Sequence, residues 1–247
     1  DEDAARKLFG EECIWIPSIN PGYVLSKRIE EEIRRYRERL GRMPELLFLQ
    51  NHGVTVAGDT TDDIHLLHRK LIEAILGQLR REPDLAGADV DLEHAERVKV
   101  ALQESFQTLT GSAATAYFDV SRELLSHAQS SETMAPLLSP FTPDHIVYAG
   151  HAPLYVEDSG EAADLFQRSA EEHGVPPKCV IVKGLGLFTV GPNPKVAESA
   201  RMLFRDAMKV ATYAESFGGA KHMAKDEIDF IRGWEVERFR ASVTVGE

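Results

Sequence analysis

The residues Leu46–Ile75 read LLFLQNHGVTVAGDTTDDIHLLHRKLIEAI, and their order decides the fold. Leu46–Leu49 is continuously apolar, the pattern of a strand covered on both faces. Asn51-His52-Gly53 follows as a turn, and Val54–Ala57 makes a second short strand. Gly53 and Gly58 relieve steric limits where the chain reverses and then leaves the sheet. Thr60 and Asp63 have capping-box spacing, and Asp62 and Asp63 complement the dipole of the helix that begins there. Ile64, Leu67, His68, Leu71, Ile72, Ile75 and Leu79 fall on one helical face. Strand, turn, strand, glycine and amphipathic helix therefore succeed one another, with a histidine in the turn.

Working outward, the same order recurs. Before the quoted stretch, Cys13–Pro17 reads as a strand, Asn20-Pro21-Gly22 as a loop and Leu25–Leu40 as a charged helix, followed by Pro44. In the second half, His145–Tyr148 reads as the strand, Ala152-Pro153 lies in its loop, and Glu161–His173 reads as the helix. Pro177 precedes the strand Val180–Val182, the turn Gly184-Leu185-Gly186, the strand Leu187–Val190, Gly191 and a helix from Pro194. A shift of 133 residues places Pro44 on Pro177, Gly53 on Gly186 and Gly58 on Gly191, while His52 falls on Leu185. The expected fold is α/β: a layered α/β/α arrangement with a mixed central sheet, built from two related β-α-β-β-α units joined by a helical connector. The boundaries fall at 1–80, 81–140 and 141–247. Within the connector, Arg80–Asp91 reads as a loop, Leu92–Leu109 has helical spacing, and Ala113–Leu125 continues in the same way. Ile228, Ile231, Trp234 and Glu235 mark a last helix ending in a short tail.

Composition narrows the function. The chain has 247 residues, 43% of them hydrophobic, and can bury a sizeable core. Its net charge of −12 and lack of a long basic run argue against a nucleic-acid groove and against attachment to an anionic membrane. Cys13 and Cys179 lie in apolar, strand-like runs and read as two buried thiols in a reducing cytoplasm. No apolar run approaches the length of a membrane span, and no signal peptide is visible. The start at Asp1 rather than Met reads as a processed or truncated piece of something longer.

The histidines are the candidates for chemistry. The chain has no H-x-H, HExxH or CxxC. His52 has two readings: a turn histidine bonded to backbone, or a metal ligand aimed by the turn. His68 lies on the apolar stripe of its helix and reads as a core histidine, one turn from His65. His145 and His151 flank a strand and its loop, while His94, His127, His173 and His222 show no constellation. Gly184-x-Gly186 is not a dinucleotide fingerprint, because a strand rather than a helix follows it. No GxSxG elbow is present, and Glu30-Glu31-Glu32 with its neighbouring arginines reads as a solvated helix face.

LLFLQNHGVTVAGDT followed by a helix resembles the late part of the class II aldolase/adducin family. FGEECIWIPSINPGYVLSKRI, TPDHIVY, VIVKGLGLFTVG and IDFIRGWEVERF resemble further parts of its long, rhamnulose-1-phosphate-aldolase-like members. Together these stretches run from about Leu8 to Phe239. In some long members this part leads into a short-chain dehydrogenase domain. The resemblance implies that 1–80 is the C-terminal portion of an aldolase-like unit and 141–247 a second, degenerate one. It implies that His52 is the third ligand of a zinc or other divalent ion. The implied reaction is retro-aldol cleavage of a ketose 1-phosphate, with the metal as Lewis acid.

The family's H-x-H pair, catalytic acid and phosphate-binding residues stand in an earlier portion that does not match here. The ligand set is therefore incomplete, the catalytic residues are unassigned, and the chain by itself is expected to be inactive. The family's often ring-shaped tetramers imply a homo-oligomer, the family's reaction implies a small sugar phosphate as substrate, and the expected location is the cytoplasm. An adducin-like interaction module without zinc chemistry, or a sugar-phosphate epimerase or dehydratase, are the alternatives on the same scaffold.

Overall fold

Residues 2–236, 239 and 240 are described in the computed structural model, and they form two units. Unit 1 comprises Asp1–Arg81 and Tyr213–Met223, and unit 2 comprises Glu82–Thr212 and Ala224–Glu247.

In unit 1, helix α1 (Glu2–Phe9) leads into strand β1 (Cys13–Ile16) and helix α2 (Tyr23–Leu40). Gly41 ends α2 at φ +70°, its N–H donating to the Arg37 carbonyl at 2.9 Å, a left-handed cap that suits glycine. Strand β2 (Leu46–Leu49), strand β3 (Gly53–Val56) and helix α3 (Thr61–Leu76) complete the unit. β2 lies in the middle, parallel to β1 and antiparallel to β3. Alternation along the strands divides the core between two faces. Ile14, Ile16 and Leu47 pack with Leu25 and Tyr36 of α2 on one face. Cys13 and Leu46 pack with Ala5 of α1 on the other. Arg28 and Arg35 pair with Glu32 at 2.9 and 2.7 Å on the outer side of α2, the solvated charge face expected there.

Unit 2 begins with helix α4 (Leu92–Thr110), strand β4 (Thr115–Asp119), helix α5 (Arg122–His127) and the short helix α6 (Ser131–Met134). A π-helical turn at His145–Ala149 precedes strand β5 (Leu154–Val156) and helix α7 (Ala162–His173). Strands β6 (Cys179–Val182) and β7 (Gly186–Gly191), helix α8 (Pro194–Ala214) and helix α9 (Lys225–Gly233) follow. The sheet runs β4-β7-β6-β5, with β5 parallel to β6 and the other pairs antiparallel. Val156, Phe166, Val180, Val182 and Phe188 are fully buried, and Leu102 and Phe106 of α4 cover them. Each such side chain contributes roughly 1.5–3 kcal/mol by leaving water.

The duplication is visible in backbone detail. Asn51 and Gly184 are both left-handed, at φ +58° and +73°, and Gly53 and Gly186 share φ +147°. The His52 N–H donates to the Leu49 carbonyl as the Leu185 N–H donates to that of Val182. Ala57 bonds Glu45 as Val190 bonds Lys178, each at 2.9 Å. Thr60 Oγ1 caps the Asp63 N–H, and Asn193 Oδ1 caps that of Val196. The α/β layering and the two related β-α-β-β-α units are as expected, with a separate mixed sheet in each unit.

Three local expectations are corrected. The apolar run His145–Tyr148 is not a strand. Thr142-Pro143 starts a helical turn, with Thr142 Oγ1 accepting from the His145 N–H at 3.3 Å, and a capping residue followed by proline outweighs the β-branched content. The strand instead falls at Leu154–Val156. The stretch 113–125 is not one helix: Gly111 ends α4 at φ +67°, and Thr115–Asp119 pairs with β7 as β4. His68 is exposed rather than in the core, because only Leu71 of α3 is fully buried. The expected C-terminal tail at 241–247 lies outside the described residues. Among the described residues, no helix is long and apolar enough to cross a membrane.

Candidate functional site

His52 stands where the turn places it, at the tip of the β2–β3 hairpin, half-buried. Asn51 anchors the turn within unit 1, its Nδ2 donating to the Lys221 carbonyl at 2.9 Å. Leu185, the corresponding residue of unit 2, is 5% exposed and belongs to the core. Among the described residues, no group of three or more His, Cys, Asp or Glu side chains could hold a metal ion. A catalytic zinc needs about three protein ligands, and the described residues assemble no such set around His52.

Side chains that had no visible constellation in the sequence come together elsewhere, in unit 2. Gly150, at φ +91°, turns the chain after the π-helical turn and delivers His151. His173 is the last residue of α7. Val175-Pro176-Pro177 then runs to Lys178, just ahead of β6. Asp229 and Arg232 come from α9. They line a cavity of about 450 Å³ together with Ile146, Val147 and Ile231. The His151 and His173 rings meet edge to face, with centroids 5.3 Å apart.

Charge in this cavity is placed by short contacts. Arg232 Nη2 donates to the His173 carbonyl at 2.9 Å, and Nη1 lies 3.7 Å from Asp229 Oδ1. Asp229 also accepts from Lys225 Nζ at 2.5 Å, which holds its carboxyl below the usual range. Lys178 Nζ donates to the Val147 carbonyl at 2.6 Å, and burial pushes the ammonium pKa down. Burial also pushes His151 down to about 4, helped by the Arg232 guanidinium and the His173 ring and opposed by Asp229. His151 is therefore neutral at pH 7. Its Nε2 is buried and has no hydrogen-bond partner among the described residues. A neutral imidazole can accept or donate one proton there, while Arg232 offers a permanent positive charge.

The other histidines meet acidic or hydroxyl side chains or lie in solvent. Both ring nitrogens of His145 and Nε2 of His127 are also buried without a hydrogen-bond partner among the described residues. His145 is 3% exposed, and its Nε2 lies 3.4 Å from Asp206, whose carboxyl pKa falls because of that contact. His127 Nε2 lies 3.3 Å from the buried Glu123. Glu123 also accepts from the Asp84 N–H and the Thr212 hydroxyl, each at 3.0 Å. His94 Nε2 meets Ser159 Oγ at 3.0 Å. Only weak signals marked the cavity in the sequence: histidines beside Gly150 and Gly174, and the paired prolines. The return of α9 to this place could not be read from local pattern.

Fold and site together describe an α/β protein of two related units, one of which carries a largely apolar cavity with a neutral histidine and an arginine in its lining. No family model matches the chain. It is 20% identical over 282 aligned residues to YuxG of Bacillus subtilis (strain 168), a protein described as an uncharacterized oxidoreductase. That match takes in 98% of this chain and 40% of the relative, so the chain spans about two fifths of the relative's length.

The expectation of a zinc-dependent class II aldolase cleaving a ketose 1-phosphate is overturned, and the alternatives framed with it fall too. The relative's name points to an oxidoreductase rather than a lyase, and no metal-holding group of three stands among the described residues. The physical reason is that one turn histidine carried the whole metal chemistry, while the other matching stretches speak for the scaffold. The duplicated turn holds leucine at the same place, so this geometry serves the scaffold whether or not it serves chemistry.

Proposed function

We propose that this chain is the ligand-binding part of a longer oxidoreductase-related protein. Its unit 2 cavity receives a small molecule bearing an anionic group and a hydroxyl. The observation that carries the reading is His151 Nε2, a buried polar atom with no hydrogen-bond partner among the described residues, in a 450 Å³ cavity. Leaving such an atom unsatisfied costs roughly 1–3 kcal/mol, and a ligand hydroxyl or a water removes that cost. Arg232 beside it favours an anion, and the neutral ring can take the hydroxyl proton.

Among the described residues, neither glycine turn suits a dinucleotide. Gly184-Leu185-Gly186 joins two antiparallel strands, whereas pyrophosphate binding uses glycines at the start of a helix. Gly191 does precede a helix, but Asn193 Oδ1 already caps its Val196 N–H. The nucleotide of an oxidoreductase is therefore assigned to polypeptide beyond these residues. Kinship with the class II aldolase/adducin family is retained as a proposal for the scaffold alone.

Titration with glycolate and with inorganic phosphate, followed by the ring signals of His151, tests the reading. Glycolate is expected to shift them, and Arg232→Gln to weaken it about tenfold, or about 1.4 kcal/mol. NADH fluorescence is expected to stay unchanged in the presence of the chain. Unmoved His151 signals would remove the ligand site, and NADH binding by this chain alone would remove the division of labour.

A further inference from the structure

The two units differ most at one sheet edge. In unit 2, β7 is covered on its outer side by β4, with Asp119 opposite Leu187 and Tyr117 opposite Thr189. In unit 1, the equivalent strand β3 ends the sheet, and no further strand among the described residues pairs with it. All of β7 is buried, whereas Gly53, Val54 and Thr55 of β3 are exposed, Val54 by 38%.

The free edge is well formed. The Ala57 N–H bonds the Glu45 carbonyl, and antiparallel pairing alternates from there. Gly53 and Thr55 thus face β2, while Val54 and Val56 direct N–H and C=O outward. Shifted by 133 residues, these two are Leu187 and Thr189, the residues that β4 covers. Gly53 and Gly186 share one backbone conformation, yet a Cβ on Gly186 would lie 2.6 Å from the Asp119 carbonyl oxygen and one on Gly53 would meet nothing. The space that β4 fills in unit 2 is open in unit 1.

Helix α3 states what chemistry the missing strand needs. In unit 2, Asp119 Oδ2 accepts from Arg201 at 3.0 Å and Arg205 at 3.3 Å on α8. The same positions of α3 are His68 and Ile72, both exposed, Ile72 by 53%. An aspartate would find no arginine pair there, and an apolar residue would find an isoleucine.

We propose that the outer edge of β3 is a docking edge for an antiparallel β-strand. That strand is supplied by polypeptide of the longer protein outside residues 1–247, and its residue opposite Val54 is apolar. Unpaired edges of this kind recruit strands through backbone hydrogen bonds, with side-chain pockets setting the choice. The oxidoreductase relative carries further polypeptide of this kind, because the match takes in only 40% of its length.

The probe is a synthetic peptide of residues Ala113–Val120 with Asp119→Leu, read by amide hydrogen exchange of the 247-residue chain. Val54 and Val56 are expected to exchange rapidly in the chain alone, with Thr55 protected. Millimolar peptide should slow Val54 and Val56 at least about tenfold, and the unaltered Asp119 peptide should do so less. Val56→Pro removes an outward N–H, which an edge strand tolerates, and keeps an apolar side chain on the Ala5, Cys13 and Leu46 cluster. It should leave the fold intact and abolish the slowing.

Two results would overturn the proposal. One is the absence of slowing with the Leu peptide. The other is concentration-dependent protection of Val54 and Val56 without peptide, which would make the occupant a second copy of this chain.

Discussion

His151 offers a measurable consequence of the cavity. Its folded pKa of about 4 lies below the ordinary 6.5. Between those values the unfolded chain binds a proton that the folded chain refuses, so stability falls as pH drops. No His151 penalty exists above pH 6.5, and it is complete below about pH 4. At about 1.36 kcal/mol per pKa unit the ceiling is about 3 kcal/mol. Water reaches the ring in part, and screening brings the expected penalty to about 1.5 kcal/mol.

Burial is the largest cause of this shift. Arg232 and His173 disfavour the charged ring, and Asp229 favours it. His151→Phe keeps a ring against His173 and removes the titration. Urea unfolding of both proteins at pH 7, 5.5 and 4 reads the effect of His151 together with its coupling to the Asp229 carboxyl, the other carboxylates titrating alike in each. The native protein should lose about 1.5 kcal/mol relative to the variant across that range. Parallel curves, or a His151 ring signal that titrates near 6.5, would refute the burial argument.

Glu123→Leu should cost about 3 kcal/mol in urea unfolding, because the Asp84 N–H and Thr212 hydroxyl lose a buried acceptor. Gly186→Ala should destabilise far more than Gly53→Ala. Both strain a backbone at φ +147°, but only the first drives a methyl into the Asp119 carbonyl. Calorimetry should show about 1–2 kcal/mol for Gly53→Ala and at least about twice that for Gly186→Ala. Thr60→Ala removes the acceptor for the Asp63 N–H and should cost about 1 kcal/mol of unit 1 stability by urea unfolding. Cys179, buried and with its pKa pushed up to about 12, should resist a thiol reagent until unfolding.

Much of the fold was legible because its determinants are local. The Leu46–Leu49 run, the Asn51-His52-Gly53 turn and the Thr60/Asp63 cap each act over a few residues. Their recurrence at a spacing of 133 residues exposed the duplication before any contact was known. Local pattern erred where two signals competed. At 145–148 the Thr142-Pro143 start outweighed an apolar run, and at 113–125 Gly111 broke a helical period. His68 was placed in a core because its helix face is apolar, but burial also requires something to pack against it. The candidate site was hardly legible: His151, His173, Lys178 and Arg232 are spread over 82 positions, and no motif spacing links them.

From its sequence alone this protein is an α/β chain of two related units, with a net charge of −12 and one histidine set in a glycine turn. Propensity, capping and charge act along the chain, and they sufficed for that. Tertiary structure alone brought α9 back to a buried histidine, and it left β3 open where β7 is covered. Desolvation and strand pairing depend on what stands beside a residue in space, which sequence neighbours do not state. The same turn is thus a core element at Leu185 and a half-buried hairpin tip at His52.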